Sequence, residues 1–254
     1  MMNELSEKIL KLKKEKNAII LAHLYQIPEI QEIADYVGDS YYLSQVARDA
    51  KEDLIIFCGV KFMAESAKVL SPEKTVILPA PNAGCPMADM AEVEDVEEMI
   101  KKYPDAFKVC YINSSYEVKA LCDASVTSSS ALKIIKNIPN KQILFLPDQN
   151  LGGYISEFFP EKEFILWRGF CPTHHRITAE DIIKAKEEHP NVKVLSHPEC
   201  SKEVRDLSDY IGSTSGIINY ATECEDKEFI IATEEGVLHQ LKKKNPDKNS
   251  ISLK

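Results

Sequence analysis

Short apolar runs alternate with amphipathic stretches along the chain, and the whole alternation occurs three times. The runs are AIILAHLYQ (residues 18–26), DLIIFCGV (53–60) and TVILPAPNAGC (75–85), then FKVCYINSS (107–115), QILFLPDQ (142–149) and EFILWRGFC (163–171), then VKVLSHPEC (192–200), EFIIATEE (228–235) and DKNSISLK (247–254). Each set opens with a charged stretch of helical apolar spacing, at 4–16, 94–104 and 179–190. Strands this short and apolar, separated by helices of about ten residues, predict parallel sheets covered by helices on both faces. The expected fold is α/β, built as three related α/β/α three-layer units over residues 1–92, 93–177 and 178–254.

An Asp followed five residues later by Ser or Thr fixes the register of the repeat. The pairs are Asp35 with Ser40, Asp123 with Ser128, and Asp209 with Thr214, so the aspartates recur at intervals of 88 and 86 residues. A cysteine follows at the end of the first two units: Cys85, 50 residues after Asp35, and Cys171, 48 after Asp123. The same step from Asp209 passes Lys254, so a third equivalent cysteine is expected beyond the sequence given. The third unit is therefore expected to be incomplete at its C-terminus, with EFIIATEE left as an open sheet edge.

Composition narrows the function. A net charge of −9 argues against nucleic acid as a partner. No run of 18 apolar residues predicts a membrane span, and the charged amphipathic start does not read as a signal peptide, so a cytoplasmic protein is expected. There is no GxGxxG and no GxxxxGK[ST], which leaves dinucleotide and P-loop readings without support. Seven cysteines without a secretory signal point to metal or thiolate chemistry rather than disulfides. Cys58, Cys110 and Cys122 read as packing residues, and Cys200 and Cys224, in more polar surroundings, as structural or incidental. Cys85 and Cys171 stand apart: each follows a strand, and each is followed by Pro, as ligand cysteines in iron–sulfur loops can be.

The tips of the three opening strands carry a second constellation. His23 and Tyr25, Tyr111 and Asn113, and His197 and Glu199 occupy matching positions two residues apart, which places each pair on one strand face. Ligands of open α/β sheets bind outside the carboxyl ends of strands, where these six side chains are expected. Ser40, Ser128 and Thr214 sit where helices should start. They read as N-caps, or as part of an anion site made with the helix N-terminus.

The motifs AHLYQ, IADYVGDS, FCGVKFMAESAK, LPAPNAGCPMADM, YINSS, LFLPDQNLGGY, GFCPTHHRIT, LSHPEC, IGSTSGI and IATEEG resemble those of the quinolinate synthase family. The resemblance implies a pseudo-threefold protein with a central active site between its units. It also implies a [4Fe–4S] cluster held by one cysteine per unit, with one iron open. Cys85 and Cys171 match two of these ligands; the third is expected past Lys254, or else Cys224 replaces it. The implied reaction condenses iminoaspartate with dihydroxyacetone phosphate to quinolinate, phosphate and water, with aspartate oxidase or aspartate dehydrogenase upstream. Under the resemblance Glu199, Tyr25 and Tyr111 are the catalytic candidates. His23, Ser40, Tyr111, Asn113, Ser128, His197, Glu199 and Thr214 are the candidates for holding substrate. Another iron–sulfur hydro-lyase, or a non-catalytic remnant binding zinc through Cys85, Cys171 and His174 or His175, are the alternatives.

Overall fold

The computed structural model describes residues 4–253. By its internal packing the chain divides into two compact units, Met1–Cys85 and Pro86–Lys254. The first holds α1 (Glu4–Glu15), β1 (Ala18–His23), α2 (Pro28–Ile33), β2 (Tyr36–Gly38), α3 (Ser40–Asp49), β3 (Leu54–Cys58), α4 (Lys61–Leu70) and β4 (Thr75–Ile77). Its sheet is fully parallel in the order β2-β1-β3-β4.

The second unit contains two more sheets of the same design. The first comprises α5 (Val93–Lys102), β5 (Phe107–Tyr111), α6 (Tyr116–Ala120), β6 (Ala124–Val126), α7 (Ala131–Ile135), β7 (Gln142–Leu146), α8 (Gln149–Ser156) and β8 (Glu163–Leu166), in the order β6-β5-β7-β8. After the short helix α9 (Pro172–His175) come α10 (Ala179–Glu188), β9 (Lys193–Ser196), α11 (Lys202–Arg205), β10 (Tyr210–Ile211), α12 (Thr214–Glu223), β11 (Glu228–Ala232), α13 (Val237–Lys244) and β12 (Asn249–Ser252), in the order β10-β9-β11-β12. Three parallel four-stranded sheets with flanking helices are thus the α/β architecture expected. The central strands are apolar because both of their faces are covered: Leu21, Val109, Leu144, Leu195 and Ile230 are all inaccessible to solvent.

One expectation is corrected. The open edge at β11 does not exist, because β12 pairs with it in parallel from Glu228↔Asn249 to Ile231↔Ser252. An edge strand needs only one apolar side, and Ile251 and Leu253 supply it by packing on the core around Ile182, Val194 and Ile230. Cys200 is structural, but not in the polar surroundings expected of it: it lies fully buried in that same core.

Two ionic devices repeat with the sheets. The marker aspartates brace the strands: Asp35 Oδ2 accepts from the Ile20 N–H, Asp123 Oδ2 from Lys108 N–H and Asp209 Oδ2 from Val194 N–H, each at 2.8 Å. A lysine before the last strand of each sheet binds backbone carbonyls at or beyond the end of a preceding helix. Lys74 Nζ donates to the carbonyls of Ala47 (2.9 Å) and Ala50 (2.5 Å) at the end of α3. Lys162 donates to Ile138 (2.6 Å) and Asn140 (2.9 Å) beyond α7, and Lys248 to Ala221 (2.6 Å) and Cys224 (2.5 Å) at the end of α12. At the ends of α3 and α12 the last carbonyls have no partner within the helix, and a cation there also meets the negative end of its dipole, whereas Lys162 ties down the loop that follows α7. Lys74 is almost fully buried. Lys74→Met should cost about 1–3 kcal/mol, the range for leaving buried acceptors unpaired. A denaturant melt matching the parent would show that water replaces the ammonium.

Candidate functional site

The tips of the opening strands are built alike in both units, but not as flat strand faces. β1 ends at His23, and Tyr25 lies in the turn beyond it, where its N–H donates to His23 Nδ1 (3.2 Å). β9 ends at Ser196, and the Glu199 N–H donates to His197 Nδ1 (3.3 Å) in the same way. At β5 the turn is closed instead by Ser114 Oγ donating to the Tyr111 carbonyl (2.8 Å). The expectation of paired side chains on one strand face is therefore corrected, because the chain turns after the first member of each pair.

In the first unit the His23 and Tyr25 rings pack edge to face, 4.5 Å between centroids. Ser40 is the first residue of α3, and the N-cap is Asp39, whose carboxylate accepts from Tyr42 N–H. Thr214 likewise opens α12, which Ser213 caps, and Ser128 lies in the turn before α7. The N-cap reading of these three hydroxyls is thus corrected by one or two residues. It does not remove them from the strand ends, where Thr214 is buried. Asn113 lies half-buried in the turn after β5.

The second unit gathers four of the expected residues, Tyr111, Ser128, Cys171 and His197, around Glu199, which is 3% exposed. Tyr111 donates its phenol proton to Glu199 Oε1 at 2.5 Å. His174 Nδ1 lies 2.8 Å from Oε2 and 3.2 Å from Cys171 Sγ. The other ring nitrogen of His174 is 2.8 Å from Thr233 Oγ1. His197 stacks on His174 with 4.7 Å between centroids, and its Nε2 is 3.3 Å from Ser128 Oγ. Asn150, in the first turn of α8, donates to the Glu199 carbonyl at 3.1 Å. Burial opposes a charge on Glu199, but the imidazoles of His197 and His174 and the hydrogen bonds from His174 and Tyr111 outweigh it. They hold the carboxyl well below its ordinary range. Burial, and then the Glu199 charge, push the Cys171 thiol well up, so it keeps its proton until a metal replaces it.

Both cysteine loops are tied down by the same backbone bond. The N–H of the first residue of α4, Lys61, donates to the Ala83 carbonyl (2.8 Å), two residues before Cys85. The N–H of the first residue of α8, Gln149, donates to the Gly169 carbonyl (2.8 Å), two residues before Cys171. Gly169 is required here, since a Cβ would stand 2.4 Å from the Pro147 carbonyl oxygen. Asp148, fully buried, then accepts from the Cys171 N–H (3.2 Å) and from the Leu151 N–H (2.8 Å). Burial, and then the charge of Glu199, push its carboxyl well above the ordinary value.

Cys224 is excluded as a companion of Cys171. It precedes β11 at the amino end of the third sheet, bonded to Asp226 (2.9 Å), whereas Cys171 meets Glu199 beyond the carboxyl end of β9. Five strand residues span roughly 16 Å. The residues sequence reasoning missed are Asp148, Asn150 and Thr233, although all three lie inside the motifs LFLPDQNLGGY and IATEEG. His174 carried no preference over His175; the structure buries the first and exposes the second.

Titratable groups gathered beyond the carboxyl ends of parallel strands, beside a free cysteine, define an α/β enzyme with a site able to hold a metal. The chain belongs to the quinolinate synthetase A protein family, whose model matches residues 7–254. It is 65% identical over 246 residues to the quinolinate synthase of Clostridioides difficile (strain 630), covering 97% of this chain and 81% of that protein. It is 63% identical over 245 residues to the quinolinate synthase of Clostridium perfringens (strain SM101 / Type A), covering 96% and 81%. For the quinolinate synthase of Caldicellulosiruptor saccharolyticus the identity is 58% over 250 residues, covering 98% and 82%. Among the described residues no helix is long and apolar enough to cross a membrane.

Proposed function

We propose that this chain makes quinolinate for NAD biosynthesis by condensing iminoaspartate with dihydroxyacetone phosphate, releasing phosphate and two waters. Family membership supports the reaction. The buried carboxylate of Glu199, held between a phenol and an imidazole, is the observation that carries the chemistry. Loss of phosphate, tautomerisation, ring closure and dehydration each move protons, and this pair provides both directions. Glu199 is ionised and accepts a proton, and the Tyr111 O–H donates one. Tyr25 is the corresponding donor of the first unit. His23, Ser40, Asn113, Ser128, His197 and Thr214 bind the carboxylates and the phosphate, the hydroxyls and imidazoles by donating to anionic oxygens. The proposed setting is the cytoplasm, with aspartate oxidase or aspartate dehydrogenase supplying the unstable imine.

The proposed cofactor is a [4Fe–4S] cluster with Cys85 and Cys171 among its ligands. The residues fit: neither cysteine is in a disulfide, both follow the last strand of a sheet, and both loops carry the same backbone tie. When bound, such a cluster with an open iron supplies a Lewis acid toward a substrate hydroxyl or carbonyl. Quinolinate formation from the two substrates, followed anaerobically, tests the reading. Absence of product from a cluster-loaded enzyme would overturn it. Tyr111→Phe should retain the cluster and lower turnover by about 10²-fold, since the proton donor is lost while the ring stays. Turnover equal to the parent would mean that Tyr111 only braces Glu199.

A further inference from the structure

We infer that Cys171, His174 and Glu199 form a mononuclear site for a first-row divalent cation in the cluster-free protein, distinct from the cluster proposed above and sharing only Cys171 with it. One ligand atom from each residue lies within 4.8 Å of the others, and all three belong to the second unit. Nδ1 of His174 stands between the sulfur at 3.2 Å and the carboxylate oxygen at 2.8 Å. A tetrahedral ion with ligands at about 2.0–2.3 Å needs its donor atoms slightly farther apart than this, so a small rotation of the side chains admits it.

The support around the three ligands distinguishes this group from an ordinary hydrogen-bonded cluster. Thr233 Oγ1 meets the far nitrogen of His174 at 2.8 Å, where it can fix the tautomer that leaves Nδ1 free to ligate. Tyr111 holds the second oxygen of Glu199, which leaves Oε2 toward the ion. Asp148 anchors the Cys171 backbone. A thiolate, an imidazole and a carboxylate suit zinc, ferrous iron or cobalt rather than magnesium or calcium. Three protein ligands leave a fourth position for water. Binding balances simply. The thiol proton goes to solvent, the His174 proton moves from Nδ1 to Nε2 to donate to Thr233, and the dication takes the thiolate, the imidazole and the existing carboxylate. Because Cys171 is shared, a cation here and the cluster exclude one another.

Cobalt(II) is the probe, titrated into the full chain prepared reduced and free of cluster. The expected result is one equivalent bound, with a sulfur-to-cobalt charge-transfer band. Cys171→Ser should lose the band. Thr233→Val, which keeps the shape of the side chain, should weaken binding about 10–100-fold, as loss of a partner behind a metal-bound histidine does. Cys85→Ser should bind cobalt like the parent. Loss of binding in Cys85→Ser would overturn the proposal, because the ion would then sit on the cluster cysteines. So would parent-like binding by both Thr233→Val and His174→Gln, with thermal melts confirming that each variant is folded. The cluster proposal fails on a different result, retention of iron and sulfide by Cys85→Ser, so the two readings are separable.

Discussion

Glu199→Gln should lower quinolinate formation by roughly 10²–10⁴-fold while leaving iron and sulfide content unchanged. The substitution keeps the size of the side chain and one acceptor oxygen, so Tyr111 retains a partner. What it removes is the charge that two imidazoles face in a buried site. Without that charge the site has no proton acceptor between Tyr111 and His174, and the tautomer of His174 is no longer fixed from the carboxylate side. Because the loss is chemical rather than steric, kcat should fall further than KM rises. A variant within threefold of the parent would reduce Glu199 to a brace between the tips of β5 and β9.

The three sheets were legible because doubly covered parallel strands must be continuous apolar runs, and the spacing of Asp35, Asp123 and Asp209 fixed where each run belonged. The structure supplies the reason those aspartates recur: each carboxylate accepts from the N–H of a residue in the opening strand, 15 residues before it. The matching lysines were not legible, although Lys74, Lys162 and Lys248 keep the same intervals of 88 and 86. Lysine is common on any surface, and its role here depends on which backbone carbonyls arrive beside it. The repeat placed the last strand at DKNSISLK, but its sheet was not expected to close there. DKNSISLK carries too few apolar residues to resemble the others, but an edge position asks for only one apolar side.

The site was legible in part. Tyr111, His197, Glu199 and Cys171 were singled out by their positions in the repeat, and the structure brings them together. Thr233 and His174 were not, because neither occupies a position that recurs. Thr233 matters only through the nitrogen it faces, and His174 is distinguished from its neighbour by helical phase alone: in α9 one ring turns inward and the next outward against Phe170. Position in a repeat thus identifies what the units share. The asymmetric contacts that give each unit its own chemistry emerge only when the strand tips meet.

Cys85→Ser and Cys171→Ser should each abolish cluster assembly in protein extended to the length of its clostridial relatives, measured as iron and sulfide bound after anaerobic reconstitution. Cys58→Ser and Cys224→Ser should assemble the cluster normally. The contrast follows from position. Cys58 ends β3 within its sheet, and burial pushes its thiol up. Cys224 is committed to Asp226 and Lys193 at the amino end of the third sheet. Cys85 and Cys171 alone follow the last strand of their sheets in loops with the same backbone tie. That tie is a second route to the same loss. Gly169→Ala drives a methyl into the Pro147 carbonyl, so the Cys171 loop must move and the sulfur with it. Cluster content should fall in Gly169→Ala although no ligand has been changed. Normal iron and sulfide in Gly169→Ala would show that the loop tolerates displacement, and normal content in Cys85→Ser or Cys171→Ser would remove that residue from the ligand set.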